Sequence, residues 1–293
     1  MTTDLNSIDT IHRFEFVDHA IRGQIVTLNN SFIEASQHQN LPIQAKQLLG
    51  QFLAAAGMLA ENFKFNGLLT LQARGDGDLP LMMAEATNTR NIRGLVKLSE
   101  SHLPHDMDGK CFRELLGKGV LTLTVDPEKG QRYQGIVPLE QDSIAQCLSD
   151  YFAHSEQVPS RLWLFADHQR AAGLLLQAMP GESPDSDAWQ TAEQLANTVK
   201  AEELLQLDHN TLLYRLFNEY QVRLYEPKNV QFKCSCNRER CLNAINALGK
   251  EDAYKLISER NHIDMDCQFC GTQYRFKKED LDQQFGDDGQ TLH

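Results

Sequence analysis

Seven cysteines occur in this chain of 293 residues, and five of them lie from Cys234 onward. Four of the five form two close pairs. Cys234-Ser235-Cys236 is followed, after 30 intervening residues, by Cys267-Gln268-Phe269-Cys270-Gly271. Two pairs brought together offer four thiolates, and four thiolates in a tetrahedron, each about 2.3 Å from the ion, is the arrangement structural zinc prefers. The second pair has the C-x-x-C-G form, in which Gly271 lets the backbone curl so that amide N–H groups point at sulfur. The first pair is tighter than usual, with one spacer residue. As metal ligands its sulfurs are thiolates, the form that oxidants attack. Oxidised, an i, i+2 pair closes a small ring that fits the preferred disulfide geometry poorly. A purely structural disulfide set and chance clustering are the competing readings.

The rest of the composition narrows the field. Hydrophobic residues make up 41% of the chain, enough for a sizeable core, and the length suggests one large domain with a smaller one. The net charge of −12 argues against a nucleic-acid binder, which normally carries a basic surplus. The first ten residues, MTTDLNSIDT, have neither a basic nor an apolar signal-peptide region, and no apolar run reaches the roughly 20 residues that span a bilayer. A cytoplasmic protein is expected, and there clustered cysteines point to metal or redox chemistry before structural disulfides.

The elements that must position these residues are legible as periodicities. Gly23–Phe32 carries an early strand. Residues 43–63 predict a helix with Leu48, Leu49, Phe52, Ala56, Leu59, Ala60 and Phe63 in one apolar stripe. Two β-rich runs flank Gly75-Asp76-Gly77-Asp78, where positive-φ turn residues are expected, and a second hairpin turns at Asp126–Gly130. A helix follows with Ile144, Cys147, Leu148, Tyr151 and Phe152 on one face, then strands in SRLWLFADH and AGLLLQAM. The fold class is α+β: a large N-terminal domain of antiparallel sheets with packed helices (1–180), a helical linker (181–231) and a small C-terminal zinc-binding domain (232–293). The polar run Pro180–Asp187 marks the first boundary. Within the linker Asp208 is placed as an N-cap ahead of Leu212, Leu213, Leu216 and Phe217, and its short stripes need a neighbour to dock on. In the last domain the sequence predicts a helix with Leu242, Ile245 and Leu248 ended by Gly249, a second helix, and a strand–turn–strand around the second cysteine pair. A domain of about 60 residues is marginal alone, so bound metal there would be folding free energy.

FKCSCNRERC together with CQFCGTQYRF resembles the redox-regulated heat-shock holdase family, the thirty-three-kilodalton chaperonins. GDGDLPLMMAEAT, GQRYQGIVPLE and YFAHSEQVPSRLWL extend the resemblance across essentially the whole chain. It implies one Zn(II) per chain in the reduced state, held by Cys234, Cys236, Cys267 and Cys270, in an inactive monomer. It further implies that oxidation forms Cys234–Cys236 and Cys267–Cys270 disulfides, with Cys267 and Cys270 as primary sensor. Zinc would then be released, the linker and C-terminal domain would unfold, and the chain would act as an ATP-independent holdase for unfolding clients. The oxidised form would be a homodimer that later hands clients to ATP-dependent foldases. No catalytic turnover, membrane or nucleic acid is expected.

The residues oppose two other functions. A thiol–disulfide exchange enzyme would place Cys-x-x-Cys at a helix N-terminus in a thioredoxin-like setting. A zinc-ribbon nucleic-acid module is opposed by the charge of 232–293, with nine Lys/Arg against eleven Asp/Glu. Among the remaining candidates, Cys241 reads as packed beside Leu242 and Ile245 before an auxiliary thiol, Cys147 as core, and His262 as surface. Cys111 has no partner motif. Arg238 and Arg240 are either thiolate-tuning cations or solvated helix residues, and Asp76 and Asp78 are turn residues.

Overall fold

The computed structural model describes residues 9–62, 66–99, 107, 109–180, 183 and 186–286. Phe63 and half of the Pro180–Asp187 boundary (residues 181, 182, 184 and 185) lie outside the described residues. Two compact units are present, Met1–Lys233 and Cys234–His293.

The first unit begins with β1 (Thr10–Phe16), β2 (Ile21–Leu28), α1 (Asn30–Ser36) and α2 (Ile43–Asn62). It continues with β3 (Gly67–Gly75), β4 (Leu81–Thr87), β5 (Asn91–Lys97), α3 (Phe112–Leu116), β6 (Gly119–Pro127) and β7 (Tyr133–Pro138). Next come α4 (Ile144–Tyr151), a π-helical turn (Phe152–Glu156), β8 (Ser160–Ala166) and β9 (Ala171–Ala178). It closes with α5 (Asp187–Ala196), α6 (Ala201–Gln206), α7 (His209–Phe217) and the short strands β10 (Val222–Leu224), β11 (Lys228–Asn229) and β12 (Gln231–Phe232). The second unit holds α8 (Arg238–Leu248), α9 (Lys250–Arg260), β13 (Ile263–Asp266), β14 (Gln273–Phe276) and α10 (Lys278–Gly286).

Two sheets build the first unit, in the orders β10-β1-β2-β9-β8, with β11 also on β1, and β12-β5-β4-β3-β6-β7. Pairing is antiparallel except for β12, which runs parallel to β5. Helix α2 packs against strands of both sheets. Sequence periodicity suggests a single stripe on this helix, yet Leu53, Ala54, Ala55 and Met58, off that stripe, are also fully buried. A helix apolar all round belongs inside a molecule, and its small residues let the sheets come close. A Cβ on Gly50 would sit 2.8 Å from the Ala166 Cβ and 2.9 Å from that of Ala171.

Both predicted hairpins form, β3–β4 and β6–β7. The first differs in the role of its glycines. Neither Gly75 nor Gly77 is among the positive-φ residues. They are required by close approach instead, since a Cβ on Gly75 would fall 1.9 Å from the Leu116 carbonyl oxygen and one on Gly77 would fall 2.6 Å from that of Leu115. The early strand also ends sooner than Phe32. The chain turns into α1 at Asn30 because the buried Asp9 carboxylate accepts from the Asn29 and Ser31 amides and from the Ser31 hydroxyl, satisfying donors that a helix start leaves open.

The sheet carrying β1, β2, β9 and β8 is covered on both faces. Leu175 of β9 points into the core around α2, whereas Ala172, Leu174, Leu176 and Ala178 point into a second core. Helices α5, α6 and α7 supply that second cover through Trp189, Ala192, Leu204, Leu205, Leu212, Leu213, Leu216 and Phe217. Asp208 caps α7 as its position predicts, accepting from the Thr211 amide at 2.9 Å. The neighbour that the short helices need is therefore the first unit's own sheet, and β10, β11 and β12 then tie the chain back onto both sheets.

Phe217 meets the Phe16 ring edge-on at 5.0 Å and lies 6.2 Å from the Phe14 ring. Phe217→Ala should destabilise this layer by about 3–5 kcal/mol. The check is thermal unfolding followed by tryptophan fluorescence in a Trp163→Phe background, which leaves Trp189, 2% exposed, as the reporter. The Trp189 transition should move to lower temperature than in that background with Phe217 intact.

Candidate metal centre

Short elements bring the four cysteines of the two pairs together. Cys234 and Cys236 follow β12, and Asn237 then caps α8 by accepting from the Arg240 amide at 2.8 Å. The one-residue spacer between the first two sulfurs is held by Arg240, whose guanidinium donates to the Ser235 carbonyl at 3.0 Å and to its hydroxyl at 2.7 Å. The second pair sits in the turn between β13 and β14. Here Gly271 adopts φ of 70°, the left-handed region that favours glycine, and its amide donates to the Cys267 carbonyl at 2.8 Å. The Cys267 amide in turn donates to the Thr272 carbonyl at 2.9 Å.

The Sγ atoms of Cys234, Cys236, Cys267 and Cys270 all lie within 4.8 Å of one another. The nearest contacts run crosswise, Cys234 to Cys267 at 3.6 Å and Cys236 to Cys270 at 3.4 Å. Zinc–sulfur bonds of about 2.3 Å in a regular tetrahedron put sulfurs about 3.8 Å apart. The donor set and its spread therefore suit a single thiophilic, tetrahedral ion.

The surroundings favour anionic sulfur at particular atoms. Burial pushes the Cys267 thiol up to about 12, against the backbone N–H groups of Phe269 and Cys270, which pull it the other way. Burial also opposes ionisation of Cys270, but hydrogen bonding with the Thr272 hydroxyl at 3.2 Å and the Thr272 amide outweighs it and brings that thiol down to about 7. Cys236 is raised, mainly by burial, while the Tyr274 hydroxyl donates to its sulfur at 3.2 Å. Four adjacent thiols cannot all ionise without a cation among them. A bound metal removes that restriction, because a coordinated thiol is deprotonated outright.

Several sequence expectations meet their surroundings here. Cys241 is half-buried beside Leu242 and Ile245 in the small core of this unit. Leu248, expected on the same apolar face, is 50% exposed, because the core closes over Ile245 and the chain leaves α8 at Gly249. Arg238 does not face the thiols: it pairs with Asp280 at 2.6 Å and stacks 4.5 Å over the Phe276 ring. His262 pairs with Asp264 at 3.1 Å, away from the ligand group. In the first unit Cys147 is buried in the core, and Cys111 caps α3 with its thiol 3.6 Å from Asp142. Asp76 accepts from the Lys118 amide at 2.7 Å and Asp78 pairs with Lys110 at 2.8 Å, so both act in the turn. Sequence reasoning missed Thr272 and Tyr274. Their signal is position: both follow the second pair into β14, close enough to reach sulfur.

A family model described as "Hsp33 protein" matches residues 9–277. The chain belongs to the Hsp33 family. Curated Hsp33-family relatives named "33 kDa chaperonin" include one from Azotobacter vinelandii, 46% identical over 291 residues and covering 97% of each chain. Another, from Pseudomonas paraeruginosa, is 48% identical over 287 residues, covering 96% of each chain. Among solved structures, the 33 kDa chaperonin from Thermotoga maritima matches with a TM-score of 0.81 and 26% identity, over 96% of this chain and 99% of that one. The family is one of chaperones, and the α+β fold is shared with that structure. No helix among the described residues is long and apolar enough to cross a membrane.

The Tyr274 hydroxyl orients and stabilises the Cys236 sulfur, and groups one shell out from a metal typically tune affinity 10- to 100-fold. Tyr274→Phe should weaken metal binding by about tenfold, measured by competition against a chromogenic chelator, with the metal-to-protein ratio unchanged at saturation.

Proposed function

We propose that this chain is a redox-regulated, ATP-independent holdase whose reduced form carries one zinc ion on Cys234, Cys236, Cys267 and Cys270. The observation that carries the reading is the convergence of four sulfurs in a unit with only a small apolar core. Ile245, Ala253, Ile257, Phe276 and Leu281 are its buried hydrophobic residues. Structural zinc supplies about 10–16 kcal/mol of apparent binding free energy, which in so small a unit is largely its folding free energy.

Peroxide-type oxidants attack thiolates. Each pair then gives up two electrons and closes as Cys234–Cys236 or Cys267–Cys270, while the peroxide oxygens leave as water. Closing each pair on itself separates the crosswise contacts that gather the four sulfurs, so the donor set is lost and the metal with it. Cys267 and Cys270 act as the primary sensor.

Unfolding of the C-terminal unit and of the linker, residues 181–231, then uncovers apolar faces that bind unfolding or oxidatively damaged clients. The first 180 residues provide client binding and dimerisation. The active form is a homodimer in the cytoplasm, clients pass to ATP-dependent foldases, and no catalytic turnover is involved. The setting of Cys267 and Cys270 between two strands supports binding over thiol–disulfide exchange, since exchange motifs open a helix.

The test couples zinc release to suppression of client aggregation, for the unsubstituted chain and for Cys267→Ser/Cys270→Ser. Peroxide at raised temperature should release about one equivalent of zinc and switch suppression on, and the doubly substituted chain should lose the peroxide-dependent step. Equal suppression with and without oxidant would sink the reading.

A further inference from the structure

Between the α5–α7 cover and the sheet beneath it lies a pair of histidines that the thiol chemistry does not use. His209 is the first residue of α7 and is 7% exposed. Its Nε2 lies 2.8 Å from the Thr27 hydroxyl of β2, and its ring meets that of His12 on β1 edge-on, with centroids 4.8 Å apart. The His12 Nδ1 is buried without a hydrogen-bond partner among the described residues. The two rings thus form a contact between the α5–α7 layer and the sheet beneath it. They border a cavity whose lining also includes Thr10, Arg170 and Asp208.

We propose that His209, docked against His12 and Thr27, makes the α5–α7 layer a proton-sensitive latch, so that mild acid loosens it from the sheet independently of the cysteines.

Three features oppose a proton on docked His209. The ring is buried, it sits at the positive end of a helix dipole, and it adjoins a second imidazole. The charged and titratable groups around it are few. β1 presents His12, and the β8–β9 turn presents Arg170, whose guanidinium donates to the Leu205 carbonyl at 3.2 Å. The cap of α7 presents Asp208, and the stretch between β10 and β11 brings Tyr225 and Glu226 toward His12, while β2 contributes the neutral Thr27 hydroxyl. Asp208 favours the imidazolium, but its carboxylate is engaged by Thr211. Burial first and His12 second hold His209 down to about 3, from an ordinary value of 6.5. Burial likewise lowers His12, against the Tyr225 backbone and the Glu226 carboxylate.

The sign follows directly. An undocked His209 takes up a proton as pH falls through 6.5 and the docked one does not, so docking weakens from there downward. Between about pH 7.5 and about pH 5 one such group shifts the open-to-docked ratio about thirtyfold.

The inference rests on α5–α7 being the switchable layer, and its test needs neither client nor oxidant. In the reduced, zinc-loaded full chain, amide exchange of Leu216 and Phe217, corrected for intrinsic rates, should report a roughly thirtyfold rise in opening over that pH span. His209→Gln, which keeps a hydrogen-bonding group but cannot gain a proton, should give a clearly smaller rise than the unsubstituted chain, the remainder being the share of His12. An unchanged opening ratio in the unsubstituted chain, or an equal acid response in His209→Gln, overturns the proposal. The latter would assign acid loosening to another group, including thiolate protonation with metal loss, which a zinc-reporting dye follows in the same samples. If His209→Gln fails to dock α7 at all, the imidazole resonances of the unsubstituted chain decide. A ring that stays neutral until α7 opens supports the latch, and a ring that titrates near its ordinary value while α7 is still protected overturns it. Loss of the peroxide-dependent client effect at neutral pH would defeat the redox reading and leave this result untouched.

Discussion

A sheet that is apolar on both faces must be covered twice, and much of this molecule follows from that constraint. β9 is buried along its whole length, with alternate residues directed into different cores. One cover is α2, which is twenty residues long, buried over most of its length, and packed against both sheets. The other is α5, α6 and α7, of ten, six and nine residues. Helices this short have little stability of their own, so their persistence depends on the sheet they bury. The two covers are thus unequal, and the weaker one closes over an aromatic cluster of Trp189, Phe14, Phe16 and Phe217.

The second unit meets the same shortage of buried surface by other means. Few hydrophobic side chains are fully enclosed there, and polar ties such as Arg275–Asp264 and Arg238–Asp280 lie at the surface, where ion pairs contribute little. Four converging sulfurs compensate if a metal joins them. A unit stabilised in this way exchanges robustness for sensitivity, because its stability rests on atoms that an oxidant can change. The molecule thus has two weak points, a small unit with four converging sulfurs and a lightly held cover over an apolar sheet.

Much of the candidate site was legible as spacing. Cys234-x-Cys236 and Cys267-x-x-Cys270 are local patterns with one dominant chemistry, and Gly271 carries its own conformational signature. The Asp208 cap, both hairpins and the burial of Cys147 could likewise be read from neighbours a few residues away. The groups that tune the sulfurs were less visible. Tyr274 and Thr272 carry no motif, and only the folding of β14 beside the turn places their hydroxyls within reach. Arg238 looked like a cation near thiolates, but a partner 42 positions away, Asp280, turned it aside.

By itself, the sequence determined the candidate donor set, the α+β class and the order of most elements, because these depend on residue type and on periodicities within one element, and the resemblance of its motifs pointed to the family. Tertiary structure decided which surfaces those elements share. It enclosed α2 between two sheets, it required Gly75 and Gly77 for close approach and not for φ, and it laid α5–α7 over β1, β2 and β9. It also brought His12 and His209, 197 positions apart, into one ring contact. The physical reason is common to all four. Packing partners are chosen by the burial of apolar faces distant in sequence, and no local period records which face will meet which.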